Sequence, residues 1–177
     1  LVSLPSRCRT DGLKKTQDGE KGNVIMHVLV LGGGFAGLAA AARLADKARR
    51  SSDVTVTLVD RHRHTTMIPS LPDVAGGRIP SPYLTEGIEK LLSPHVRFVL
   101  SEIKRVDLAE RVVTTDAGHV PYDFLIIATG SVTNFYGFHQ HLDKIHQLDT
   151  LDDATRIAGD FTAYLHQTTT PEAVIVG

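Results

Sequence analysis

The chain has a single cysteine, Cys8, among its 177 residues. One thiol excludes an intrachain disulfide, a Cys-x-x-Cys metal clamp and a redox-active cysteine pair, and with them any disulfide-reductase chemistry carried by this chain alone. The lack of disulfides fits a reducing, cytoplasmic compartment. No apolar run approaches the roughly 20 residues that cross a bilayer, and the first residues lack the apolar core of a secretory signal. Charge of one sign is missing as well. The 19 Lys and Arg are balanced by 20 Asp and Glu, for a net charge of −1, so there is no basic footprint for a nucleic-acid partner. What is present is an apolar share of 42% and a length that suits one globular domain with a piece of another.

Residues 1–23 mix Arg7, Arg9, Lys14, Lys15 and Lys21 with Asp11, Asp18 and Glu20 and show no helical or strand period. Low hydrophobicity predicts a disordered tail there, in which Cys8 is incidental. Order is expected to begin near residue 24.

The chemistry-bearing signal starts at His27-Val28-Leu29-Val30-Leu31, a β-prone apolar run. It leads into Gly32-Gly33-Gly34-Phe35-Ala36-Gly37, and Leu38 to Lys47 then reads as a helix. Gly32, Gly34 and Gly37 have G-x-G-x-x-G spacing. The first permits the tight turn, the second lets backbone approach a pyrophosphate, and the third lets the helix pack on the sheet. The unpaired amides at the helix start carry the equivalent of about half a positive charge toward an anion. A second strand, Val54 to Val59, ends at Asp60, about twenty residues beyond the last glycine. At that distance a carboxylate accepts the adenosine ribose hydroxyls and repels a 2′-phosphate. The series strand, turn, helix, strand, acid predicts a Rossmann-like α/β domain built on a parallel sheet, with a dinucleotide at its Gly-rich turn.

Further along, Arg61 to Gly77 reads as a loop. Ser81 to Leu92 reads as a short helix stopped by Ser93-Pro94. Val96 to Leu100 and Arg111 to Thr115 read as strands, with Ile103 to Val106 extended between them. Asp116-Ala117-Gly118 is a hairpin signal for a small antiparallel β element. Phe124 to Ala128 is apolar throughout, as a buried parallel strand would be, and ends in Thr129-Gly130. Thr150, with Asp153 three residues on, caps a helix reaching about His166, whose stripe of Ala154, Ile157, Phe161 and Leu165 reads as core packing. Residues 171–177, Pro-Glu-Ala-Val-Ile-Val-Gly, repeat the strand-into-glycine pattern. They are expected to be the first strand of a second dinucleotide-binding domain, with the sequence broken off there.

Gly32 to Gly37, Val59-Asp60-Arg61, Tyr122 to Ser131, Thr133-Asn134-Phe135-Tyr136-Gly137 and Leu148 to Ala154 together resemble the type II NADH dehydrogenases, flavin-dependent NADH:quinone oxidoreductases with two dinucleotide-binding domains. The resemblance implies an incomplete FAD-binding domain over 24–170 and an NADH site beyond Val176. Gly32, Gly34, Phe35, Ala36 and Gly37 would hold the FAD pyrophosphate. Asp60 would take the ribose, with Arg61 beside the adenosine. The backbone of Ile103 would meet adenine, Ala128-Thr129-Gly130 would pass near the ADP part, and Pro69 would lie on the loop nearest the flavin ring. NADH and quinone would be the partners, and FAD and NADH the cofactor and substrate. Peripheral membrane association on the cytoplasmic face of the inner membrane, through a further C-terminal region, and a homodimer are additional expectations.

The loop Ser70-Leu71-Pro72-Asp73 departs from the family, which commonly has Leu-Leu-Tyr-Gln after the proline. It looks more like the loop of sulfide:quinone oxidoreductases, so a sulfide:quinone, ferredoxin or rubredoxin reductase, an inactive FAD-binding fragment and a plain NAD-binding domain stay open as alternatives. The nine histidines, including His62, His64, His139, His141 and His146, read as loop residues rather than metal ligands. Hydride transfer through a flavin needs no triad, and no catalytic acid or base is assigned.

Overall fold

A computed structural model of the chain describes residues 25–137 and 145–167. The expected tail (1–23), the expected terminal strand (171–177), His139 and His141 lie outside these residues.

The centre is a parallel sheet in the order β5-β2-β1-β9, formed by β1 (Met26–Leu31), β2 (Val54–Asp60), β5 (Val96–Leu100) and β9 (Phe124–Ile127). Its two central strands, β1 and β2, bury apolar side chains on both faces, as covered parallel strands do. Val28, Val30, Val56 and Leu58 face α1 (Phe35–Arg50), meeting Ala41, Ala45 and Ile88. The small side chains of α1 let it sit close to the sheet. On the other face, Leu29, Leu31 and Val59 pack on Val113 and Tyr122. Those two come from the antiparallel sheet of β6 (Ile103–Asp107), β7 (Val112–Thr115) and β8 (Gly118–Pro121), or follow directly from it. The Asp116-Ala117 turn closes β7 onto β8 as its sequence predicts, with Gly118 at φ +120°.

The registers align the strand ends. Leu31 lies opposite Val59 and Ile127, and Asp60 opposite Leu100. The residues that follow these strands therefore emerge along one edge, on both sides of the point where strand order reverses. In open α/β sheets that crevice is where ligands bind.

Four expectations change. The helix expected from Leu38 starts at Phe35, because the glycine turn passes into helical backbone at once. The expected loop 61–77 contains β3 (His64–Thr66), a 3-10 turn (Ile68–Ser70) and α2 (Leu71–Ala75). The expected helix 81–92 is split into a 3-10 turn (Ser81–Leu84), β4 (Thr85–Gly87) and α3 (Ile88–Leu91). The cause is pairing of β4 with β3, with Thr66 opposite Thr85, a non-local contact that outweighs local helical spacing. Finally, β9 is an edge strand among the described residues, and its Phe124 and Ile127 are 54% and 62% exposed.

A third apolar cluster joins Leu71, Val74 and Leu84 to Ala154 of α4 (Leu151–Gln167). The α4 stripe is core packing at Ala154 alone. Phe161 and Leu165 farther along are 45% and 46% exposed, since α2 is five residues long and covers just the first turns of α4. Thr150 and Asp153 cap this helix reciprocally: the Asp153 N–H donates to Thr150 Oγ1 at 3.1 Å, and the Thr150 N–H to Asp153 Oδ2 at 3.0 Å.

Candidate functional site

The first strand ends by handing its last hydrogen bonds to both neighbours. The Gly32 N–H donates to the Val59 carbonyl, and the Ala128 N–H to the Leu31 carbonyl, each at 2.8 Å. Gly32 then turns at φ +101°, and a Cβ there would lie 2.2 Å from the Ala128 carbonyl oxygen. At Gly37 a Cβ would lie 1.8 Å from the Gly32 carbonyl oxygen. Both glycines are thus required by the protein's own backbone.

Gly34 differs. Its φ of −79° and ψ of −170° are open to any residue, and a Cβ would meet nothing within 4 Å. It is the N-cap of α1, which has no side-chain cap and no acidic residue in its first turn. The first helical donor is the Leu38 N–H, to the Gly34 carbonyl at 2.9 Å. The amides of Phe35, Ala36 and Gly37 come before it and have no helical acceptor. Phe35 and Ala36 are exposed and Gly37 is buried. A polar helix start left bare, beside space that a side chain would fill, is a cradle for an anion.

Next to it lies a cleft of about 300 Å³ lined by Gly32, Asp60, Arg61, His62, Glu102, Ile103 and Thr129. Asp60 closes β2 and is pinned at both oxygens. Oδ2 accepts the Gly33 N–H at 2.6 Å and Oδ1 the His62 N–H at 2.7 Å. A carboxylate offers about four lone-pair positions, so it keeps acceptor capacity for a hydroxyl-bearing ligand. The His62 Nδ1 lies 3.4 Å from the same Oδ1. Across the cleft, Glu102 is paired with Lys104 at 2.7 Å, and Lys104 reaches Asp116 at 3.3 Å. This pairing, first with Glu102 and then with Asp116, raises the affinity of the Lys104 amine for its proton.

Of the sequence-derived candidates, Gly32, Asp60, Arg61, Ile103 and Thr129 line one cleft. Gly34, Phe35, Ala36 and Gly37 form the adjoining helix start. Ala128 backs the turn through its carbonyl, and Gly130 follows at φ +79°. Pro69 is in the 3-10 turn Ile68–Ser70 and is not part of the cleft lining. Sequence reasoning missed Gly33, His62 and Glu102. A Cβ on Gly33 would strike Ile88 Cδ1 at 2.5 Å, and the middle glycine of the run Gly32-Gly33-Gly34 is its trace in the sequence. An aspartate two residues before His62 is the signal for the turn that brings the two together. Among the described residues, no group of three or more His, Cys, Asp and Glu could share a metal ion, and no helix is long and apolar enough to cross a membrane.

Comparison with known proteins shows the family and the fold. The type II NADH:quinone oxidoreductase NdhA of Mycobacterium tuberculosis is 30% identical over 138 residues, covering 75% of this chain and 28% of that protein. The sulfide:quinone oxidoreductase of Aquifex aeolicus superposes with a TM-score of 0.66 at 22% identity, over 80% of this chain and 32% of that one. NDH2 of Plasmodium falciparum, in complex with RYL-552, superposes with a TM-score of 0.66 at 23% identity, over 85% and 31%. These two structures share the fold. The chain spans about a third of the length of the curated relatives it matches. Residues 26–177 match the pyridine nucleotide-disulphide oxidoreductase family, and the chain belongs to that family.

Proposed function

We propose that this chain is the FAD-binding part of a flavoprotein oxidoreductase that takes a hydride from NADH and passes electrons to a quinone. The observation that carries the reading is Gly34, a glycine whose conformation and surroundings within the protein do not call for one. It lies beside bare helix amides and a pinned carboxylate, and a diphosphate at that spot explains the missing side chain.

The residues present fit FAD. The amides at Phe35, Ala36 and Gly37 hold the pyrophosphate, and Asp60 accepts from the adenosine ribose. Arg61 adds positive charge at the same end, and Ile103 and Thr129 line the adenosine side of the cleft. Bound there, the isoalloxazine supplies hydride acceptance and electron release, which the protein itself lacks. The chain's own contribution is to grip the nucleotide end in a fixed register. NADH as donor and quinone as acceptor are supported by the type II NADH:quinone oxidoreductase relatives. The neighbouring sulfide:quinone oxidoreductase structure and the Ser70–Asp73 segment keep a different electron donor as the second reading. A peripheral place on the cytoplasmic face of a membrane, and a homodimer, belong to this proposal for the longer protein.

Titration of the purified chain with FAD, followed by flavin fluorescence, tests the reading. Saturable binding that is lost in Gly34→Leu is expected. Binding of NAD⁺ in place of FAD would turn the chain into a plain NAD-binding domain, and binding of neither would overturn the proposal.

A further inference from the structure

One wall of the cleft is the segment 101–103, where β5 passes into β6. Glu102 and Ile103 line the cleft. Ser101 is not part of the lining; it is buried behind it and bonded on two sides. Its N–H donates to the Asp60 carbonyl at 2.9 Å, which hangs the wall from the residue whose carboxylate closes the other side of the cleft. Its Oγ accepts the Ala117 N–H at 3.0 Å, which ties the wall to the turn between β7 and β8. Two further ties run to the same turn. The Asp116 N–H donates to the Glu102 carbonyl at 3.1 Å, and Lys104 joins Glu102 to Asp116. Just beyond the wall the register with β7 slips: Ile103 lies opposite Thr115, and Arg105 opposite Thr114. Lys104 is the extra residue of this bulge. Bulges bend a strand and re-aim its side chains, and they are frequent beside active sites.

We propose that Ser101 is a positioning residue of the nucleotide site: through its hydroxyl, the β7–β8 turn holds the wall where Glu102 and Ile103 meet an adenine ring. This rests on the reading of the cleft as an adenosine site. The hairpin does not itself need the serine. The Ala117 N–H has a second acceptor in Thr115 Oγ1 at 3.2 Å, and the Thr115 hydroxyl donates to the Gly118 carbonyl at 3.0 Å, so the turn is closed from within. What Ser101 Oγ adds is the bond from turn to wall. A base is rigid and planar, and its hydrogen bonds weaken steeply once angles or distances slip. A wall fixed at both Asp60 and Ala117 is in place before the ligand arrives, which removes the cost of ordering it on binding.

The test titrates the whole chain calorimetrically with ADP, the nucleotide half of FAD, and records thermal midpoints alongside. Ser101→Ala removes the acceptor, and Ser101→Cys keeps the side-chain size while offering a weak one. Both are expected to weaken ADP binding by about three- to tenfold, the scale of one neutral hydrogen bond. Ser101→Thr keeps the hydroxyl and should bind ADP as the wild type does. Thr115→Val takes away the turn's internal acceptor and leaves the tie to the wall, so it should lower the thermal midpoint with ADP affinity unchanged. Wild-type affinity in both Ser101→Ala and Ser101→Cys, no recovery in Ser101→Thr, or an equal loss in Thr115→Val would overturn the inference and leave the FAD reading standing. Failure of the wild type to bind either ADP or FAD would overturn both.

Discussion

Gly33 and Asp60 join the two halves of the candidate site: the Gly33 N–H donates to Asp60 Oδ2 at 2.6 Å. The turn that faces phosphate and the carboxylate that faces ribose are therefore one rigid unit, not two independent contacts. Asp60→Ala removes an acceptor for this amide and for the ligand together. Hydrogen bonds to a charged group contribute about 1.5–3 kcal/mol. FAD affinity should fall by at least about tenfold, with a lower thermal midpoint in the absence of ligand. A variant that binds FAD as the wild type does would show that Asp60 has no part in recognition.

The glycines of the turn should separate binding from folding. At Gly34 an added side chain enters open space. Gly34→Leu is expected to cost the fold about 1 kcal/mol or less, as a poorer N-cap, while abolishing FAD binding. At Gly37 a Cβ would lie 1.8 Å from the Gly32 carbonyl oxygen, so Gly37→Ala should destabilise by about 1–3 kcal/mol or more through overpacking. Chemical denaturation alongside fluorescence titration distinguishes the two. Equal losses of stability would mean that Gly34 also has a purely structural role.

The cap of α4 predicts an acid response. The Thr150 hydroxyl, together with backbone amides and Arg156, holds the Asp153 carboxyl below the usual carboxylate range. A group whose folded-state pKa is depressed contributes stability above its unfolded value and loses it as pH falls through the folded one. Stability should therefore drop below about pH 4, and Asp153→Asn should flatten that part of the profile. Thr150→Ala should cost about 1 kcal/mol at neutral pH. Urea unfolding between neutral and acid pH checks both.

The outer edge of β9 should favour association. Phe124 and Ile127 are exposed on a strand that carries no charge and lies at the sheet edge among the described residues, and such edges template pairing with other chains. Ile127→Lys should change stability by no more than about 0.5 kcal/mol and should reduce concentration-dependent oligomers in sedimentation. Unchanged association would place the sticky surface elsewhere, with the exposed Phe161 and Leu165 of α4 next to be tested.

The amino-acid sequence by itself determined the first β-turn-α unit, the acid ending β2, the hairpin at Asp116-Ala117 and the reciprocal cap of α4. Each is written in residues close together in the chain: a β-prone run, glycine spacing, a turn pair, a threonine three residues before an aspartate. Tertiary structure decided what depends on distant partners. Pairing of β3 with β4 breaks a segment whose local spacing reads as helix. The strand order puts apolar β9 at an edge. Parallel registers bring His62 and Glu102 to the same crevice as the glycine turn. No local pattern encodes these outcomes, because they arise from which strands lie side by side once their apolar faces are covered.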